Sequence, residues 1–284
     1  MGKADSKKKI IVLSVILGLS LSAMIALITV YVIINNNSRQ GTAFYASLSV
    51  DLTARIPQPA AAPDDALSAG AGRQQTVPAG HIAPETAEPA PFVPAMDFGE
   101  LRELMPDAVG WIYSPGTLIN YPIVRAENNV FYLDHLPDRT RNSMGSIFLD
   151  YRNSADLSDG NIFIYGHNMR SRELFGSLGD YADQAFFDAH SSMYIFTPHA
   201  DYELQLFAGY LLDSAYEHPP MQFESEDDFQ AYMAELESRS FFTGEVDVSY
   251  GDTLVFLCTC TDGRLGDASR SMRRILVGRL ADVN

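Results

Sequence analysis

The chain has two cysteines, Cys258 and Cys260, and the second stands where a nucleophile would. It ends the apolar run Leu254-Val255-Phe256-Leu257-Cys258-Thr259-Cys260, directly before the turn-forming Thr261-Asp262-Gly263. A strand end beside a loop gives a reactive group both a rigid base and access. A thiolate nucleophile also needs an acid–base partner and a group that stabilises the oxyanion formed on acyl attack. His167 is the candidate partner: it follows Ile162-Phe163-Ile164-Tyr165-Gly166 and also sits where a strand opens into a loop. The other histidines have weaker contexts. His81 lies in a Pro/Ala-rich stretch, and His135, His190, His199 and His218 occupy polar or proline-flanked positions that suit an ordinary surface role. For the cation, Arg273 and Arg274 precede Ile275-Leu276-Val277. Strand neighbours face opposite sides, so only one of the two can point at the site. Arg274, adjacent to the apolar run, is the one expected there, with Arg264, Arg270 and Arg273 forming a solvated rim. A guanidinium stays charged and offers forked donors, which suits an oxyanion or a peptide carbonyl.

Positioning these groups requires a framework, and the sequence from about residue 96 onward supplies one. Short strand-like runs alternate with turn residues at 110–113, 146–148, 161–165, 193–197, 202–210, 253–259 and 274–280, a spacing that predicts a mostly antiparallel barrel or sandwich. Helices are predicted at 98–105, at 173–181 with an extension to 187, and at 226–237. In the last, Phe229, Tyr232, Met233 and Leu236 fall on one face at helical spacing.

The remainder of the 284 residues carries topology rather than chemistry. All four lysines lie in the first nine residues, and the formal charge of −16 is the sum of that +3 tail and a −19 body. An acidic body excludes general nucleic-acid binding, which needs a basic face to displace counterions. Residues 10–34 hold no charge, and 25 apolar residues exceed the roughly 20 that a helix needs to cross about 30 Å of hydrocarbon. A cleaved signal peptide has a shorter apolar region, so this stretch is expected to be a single-pass signal anchor. With the lysines ahead of it, the N-terminus is expected in the cytoplasm and the body outside. Residues 35–95 are expected to form a flexible stalk; the part from 55 to 94 holds 8 of the 15 prolines and cannot bury enough apolar surface to offset its ordering entropy. The organisation expected is therefore a tail at 1–9, an anchor at 10–34, a stalk at 35–95 and one folded domain at 96–284. Two cysteines make no disulfide scaffold, and no spacing suggests a metal site.

These residues resemble the sortases, membrane-anchored cysteine transpeptidases of Gram-positive bacteria, which carry a T-L-x-T-C strand, a histidine upstream and an arginine downstream. The matching residues are Phe256-Leu257-Cys258-Thr259-Cys260, His167 and Arg274. Further stretches look like class B in particular: Pro106-Asp107-Ala108-Val109-Gly110-Trp111-Ile112, Tyr121-Pro122-Ile123-Val124, Phe131-Tyr132-Leu133-Asp134-His135 and Leu174-Phe175-Gly176-Ser177-Leu178. There are two departures. Phe256 replaces the first threonine, and Cys258 occupies a variable position that is often serine. Residues i and i+2 share a strand face, so a strained, reversible Cys258–Cys260 disulfide that silences the enzyme is one expectation, and a plain serine substitute is the other.

The resemblance implies a mostly β fold with added helices, a sortase-type β-barrel behind the transmembrane helix and disordered stalk. It also implies two-step acyl transfer without a metal or organic cofactor. Cys260 would attack the C-terminal sorting signal of a secreted surface protein, His167 would protonate the departing amine, and Arg274 would stabilise the oxyanion. Leu257, Cys258 and Thr259 would line the substrate or oxyanion site. An amine of the peptidoglycan cross-bridge, or a pilin lysine in a pilus-polymerising variant, would resolve the thioester. The last residues, Leu280-Ala281-Asp282-Val283-Asn284, show no sorting pentapeptide and no second apolar span, so the chain is expected to act on such substrates rather than be one. Two other readings compete. An L,D-transpeptidase-like enzyme would place His and Cys in one short segment, whereas here 93 residues separate them. A non-catalytic anchored adhesin or sensor would not depend on Cys260.

Overall fold

The computed structural model describes residues 3–53, 97–214, 217–260 and 272–283. Eight strands close into a barrel: β1 (Ala108–Tyr113), β2 (Asn120–Val124), β3 (Ile147–Leu149), β4 (Asn161–Gly166), β5 (Ser192–Phe196), β6 (Asp201–Asp213), β7 (Leu254–Cys260) and β8 (Met272–Asp282). Around the barrel they run β1-β2-β3-β4-β7-β8-β6-β5. Closure removes every sheet edge and gives the short strands complete pairing. The barrel is not purely antiparallel, because β2 with β3 and β4 with β7 are parallel pairs. The second of these brings the ends of the His167 and Cys260 strands together.

Strand β2 is the strand absent from the predicted set, and Pro122, which cannot donate to a ladder, weakens its signal. Pro122 pairs only with Trp111 of β1, and pairing with β3 begins one residue later at Ile123. The predicted helix at 173–187 is instead a 3-10 turn, Gly176–Ala182, followed by α3, Gln184–Ala189, which Asp183 caps by accepting from the Ala185 amide. The predicted helix at 98–105 forms α2, Phe98–Leu104, capped by Asp97, and the amphipathic stretch forms α4, Glu226–Arg239, capped by Ser225.

Two main apolar clusters result among the described residues, beside a small third one of Val124, Tyr132 and Phe148. The larger fills the barrel and includes Trp111, Ile164, Leu257 and Leu276. The smaller lies on the outer face under α4 and includes Phe163, Tyr210, Phe229, Phe256, Cys258 and Ile275. Phe256, where the sortase pattern has threonine, is fully buried and stacks on Phe163 with ring centroids 4.8 Å apart. Phe256→Ala is therefore expected to destabilise the domain by about 3–5 kcal/mol, the range for a buried Phe truncation. Urea denaturation at constant m-value would measure this, and a loss below about 1 kcal/mol would contradict the packing role.

The N-terminal helix is longer than the expected anchor. Helix α1 runs Lys3–Thr53 without a break, and its apolar portion is long enough to cross a membrane. Residues 35–53, expected to begin the stalk, are helical, so that boundary is corrected. From Asn37 to Leu48 the helix packs on the barrel: Tyr45 and Leu48 are buried in the main core, and the Tyr45 ring meets Tyr121 edge-on at 5.1 Å. The rest of the expected stalk lies outside the described residues.

Candidate active site

Strand β7 carries the site, and its two neighbours determine what stands beside it. On one side the parallel register pairs Tyr165 with Cys258 and Gly166 with Thr259. His167 is the next residue, at the level of Cys260. On the other side the antiparallel register pairs Cys258 with Ile275, Thr259 with Arg274 and Cys260 with Arg273. Alternation then gives residues 258, 260, 273 and 275 one face of the sheet, and 257, 259, 274 and 276 the other. The Cys260 side chain lies outside the described atoms; its place is set by the backbone register.

The face shared by Cys258 and Arg273 opens into a cavity of about 460 Å³ lined by His167, Cys258, Thr259, Arg273, Tyr165 and Arg152, with Asn129, Leu133, Ser214 and His218 at its walls. This reverses the expectation about the two arginines. Arg273 lines the cavity, whereas the Arg274 guanidinium packs against Gly179, its Nη1 3.2 Å from where a Cβ on that glycine would stand. Leu257 is likewise corrected: it is fully buried in the barrel core and its side chain does not line the cavity. Cys258 and Thr259 do border it, both nearly buried; alternation turns the Thr259 side chain to the opposite face with Leu257, so Thr259 meets the cavity through its backbone at the strand end.

Cys258 behaves as a small core residue. It is 4% exposed, and its Sγ donates to the Phe256 carbonyl at 3.6 Å. Both cysteines lie within regular strand pairing, where alternate Cα atoms are about 6.6–6.8 Å apart, the upper limit of disulfide geometry. The chain is therefore expected to keep both thiols under mild oxidant. Intact-mass measurement would check this, and a loss of two hydrogens that Cys258→Ser abolishes would contradict it.

His167 is held from several directions. Its Nε2 donates to the Leu133 carbonyl at 2.6 Å. A carbonyl only accepts, so Nε2 carries a proton and Nδ1 is the nitrogen available for proton transfer. The His167 carbonyl accepts from the Phe175 amide at 3.2 Å. Leu133 belongs to a short 3-10 turn, Phe131–Leu133, whose Tyr132 is fully buried and donates to Asp107 at 2.5 Å. Arg139 adds two bonds to the same carboxylate. Burial would raise the Asp107 pKa, but the bonds from Arg139 and Tyr132 outweigh it and hold the group below its ordinary value. The stretches around Asp107 and Tyr132, far apart in sequence, are thus one support for the histidine.

Arg152 has a second support that the sequence did not reveal. Asp150 is fully buried and accepts from Arg152 Nε and Nη2, from Asn129 Nδ2 and from the Tyr165 hydroxyl, at 2.7–3.0 Å. Burial raises the Asp150 pKa, and the bonds from Arg152, Asn129 and Tyr165 together more than reverse this, holding the carboxylate below the usual carboxylate range. A depressed carboxylate pKa contributes stability at neutral pH that is lost only as pH falls through the folded value. Burial pushes the Tyr165 phenol up, keeping it a neutral donor. Among the described residues, no group of three His, Cys, Asp or Glu side chains is arranged to hold a metal ion.

Comparison with known proteins fits this geometry. The chain is 35% identical over 161 residues to Sortase B of Listeria monocytogenes, a match that spans 57% of this chain and 65% of that protein. It is 31% identical over 180 residues to Sortase B of Staphylococcus aureus, spanning 63% of this chain and 72% of the relative. Among solved structures, a Staphylococcus aureus sortase B–substrate complex superposes with a TM-score of 0.61 at 29% identity, covering 66% of this chain and 85% of that one. A sortase B complexed with triglycine gives 0.59 at 29% identity, covering 66% and 86%. No family model matches the chain. A closed eight-stranded barrel, a cysteine-bearing β7 with an arginine across the ladder and a histidine beside it, and identity above 30% over most of a curated relative together place this chain in the class B sortases, a family of cysteine transpeptidases.

Proposed function

We propose that this chain is a membrane-anchored transpeptidase that cleaves the C-terminal sorting signal of a secreted protein and transfers the acyl group to a cell-wall amine. The observation that supports this reading most is the register: Cys260 pairs with Arg273, and His167 follows the Gly166–Thr259 pair, beside a cavity that His167 and Arg273 line. The Cys260 thiolate attacks the scissile carbonyl, and the carbonyl π electrons move onto oxygen. Arg273, whose forked donors suit a concentrated negative charge, stabilises that oxyanion. As the C–N bond breaks, imidazolium His167 gives the Nδ1 proton to the departing amine, and a thioester remains. The acceptor amine then attacks the thioester, its proton passes to His167, and the thiolate leaves with a new amide in place. Thr259 and Cys258 shape the floor beneath the peptide.

The sortase B complexes with substrate and with triglycine support a sorting peptide as donor and a glycine amine as acceptor. The apolar part of α1 supports anchoring in the membrane, and the lysines ahead of it support a cytoplasmic N-terminus. A library of sorting-signal peptides incubated with the full-length chain and triglycine is expected to yield a ligated product identified by mass spectrometry. Cleavage that gives only the hydrolysed acid at saturating amine would refute transfer, and no cleavage of any peptide would refute the reading.

A further inference from the structure

Helix α1 continues past its apolar span to touch residues 142–145, of which Gly145 packs against His167 and the Leu133 carbonyl. Residues 35–40 are Asn-Asn-Asn-Ser-Arg-Gln, too polar for hydrocarbon, so the span ends at Ile34 and the helix emerges one turn before its first contact. Asn37, Gly41, Tyr45 and Leu48 then fall on one helical face. Asn37 Oδ1 accepts from the Ser143 amide at 2.9 Å and its hydroxyl at 2.7 Å, and the Asn37 carbonyl accepts from Asn142 Nδ2 at 2.8 Å. Gly41 allows close approach: a Cβ there would stand 2.8 Å from Met144 Sδ and 3.0 Å from Asn142 Oδ1. The Tyr45 hydroxyl donates to the Gly145 carbonyl at 2.7 Å.

Gly145 is the link to the chemistry. It has φ +66°, and a Cβ on it would lie 2.7 Å from the Leu133 carbonyl and 2.9 Å from His167 Cδ2. Gly145 therefore packs against both the imidazole and the carbonyl that binds Nε2, while its own carbonyl is held by the anchor helix. We propose that Tyr45 is a positioning residue for His167, so that the membrane anchor is a working part of the catalytic site. This rests on the role given to His167 above. None of the four docking residues lines the cavity, so undocking is expected to alter the imidazole's placement and leave peptide binding intact.

The test uses the full-length chain in nanodiscs with histidine labelled in the ring by carbon-13, the His167 signal being assigned through His167→Gln. Tyr45→Phe keeps the ring and removes the hydroxyl. Gly41→Leu forces the helix off Met144, and Ala43→Leu adds the same bulk on the exposed side of the same helix. Tyr45→Phe and Gly41→Leu are each expected to shift the His167 ring resonance and to lower kcat on the order of tenfold with KM within about twofold, since small misplacements of a catalytic group cost this much or more. Ala43→Leu is expected to leave both readouts at wild-type values. An unmoved His167 resonance in both docking variants, or a change confined to KM, would overturn the proposal. If the resonance moves while the wild-type chain cleaves no peptide, positioning stands and the proposed function fails.

Discussion

Cys260→Ala is expected to lower kcat/KM for sorting-peptide cleavage by about 10⁴-fold or more, the scale on which removal of a covalent nucleophile abolishes catalysis. Without the sulfur no thioester forms, and water must attack the amide with only the cavity and Arg273 to assist. Binding should survive, because residue 260 lies at the end of the strand while the floor comes from Tyr165, Cys258 and Thr259. Cys258→Ser is the internal contrast. The serine hydroxyl can donate to the Phe256 carbonyl as the thiol does, so activity should stay within about tenfold of wild type, the cost of a modest repacking. Steady-state kinetics with a quenched peptide would measure both. A Cys260→Ala variant that cleaves as fast as wild type would overturn the assignment of Cys260 as the nucleophile.

The second large effect separates two adjacent arginines. Arg273→Ala is expected to cost about 10²–10³-fold in kcat, the usual loss when one oxyanion donor is removed from a preorganised site. Arg274→Ala should cost far less in kcat and act instead on stability, because its guanidinium packs against Gly179 on the other face of β8. Kinetics compared at matched folded fraction would distinguish them. Equal losses, or a larger kcat loss for Arg274→Ala, would mean that β8 pairs with β7 in a different register.

That pair also shows where the sequence stops being informative. That Cys260 ends a strand and His167 directly follows one is legible because each closes an apolar run beside turn residues, a local pattern. Which arginine faces the cavity depends on how β8 registers against β7 across the intervening residues, and adjacency to an apolar run carries no phase. The parallel pairing of β4 with β7 is likewise non-local. Leu257 reads as substrate-lining only until alternation is counted from Cys260, which sends it into the barrel. Strand β2 is hidden by Pro122, whose conflict with pairing disappears once the β2–β3 ladder is seen to start at Ile123, opposite Ile147. The docking face of α1 is hidden differently: Asn37, Gly41, Tyr45 and Leu48 are too mixed in type to stand out, and only contact with residues 142–146 gives them a common purpose. The Asp107 and Asp150 networks join segments 25 and 21 residues apart through single side chains, which no periodicity reports.

The chemistry proposed for this site is covalent, with the peptide passing through a thioester on Cys260. Intact-mass spectrometry of the full-length chain, quenched in acid after incubation with sorting peptide and no amine, measures this step. The expected result is an added mass equal to the acyl fragment, mapped by proteolysis to Cys260 and released by hydroxylamine. A cleaving enzyme with no adduct on Cys260, or with the adduct on another residue, would rule that chemistry out.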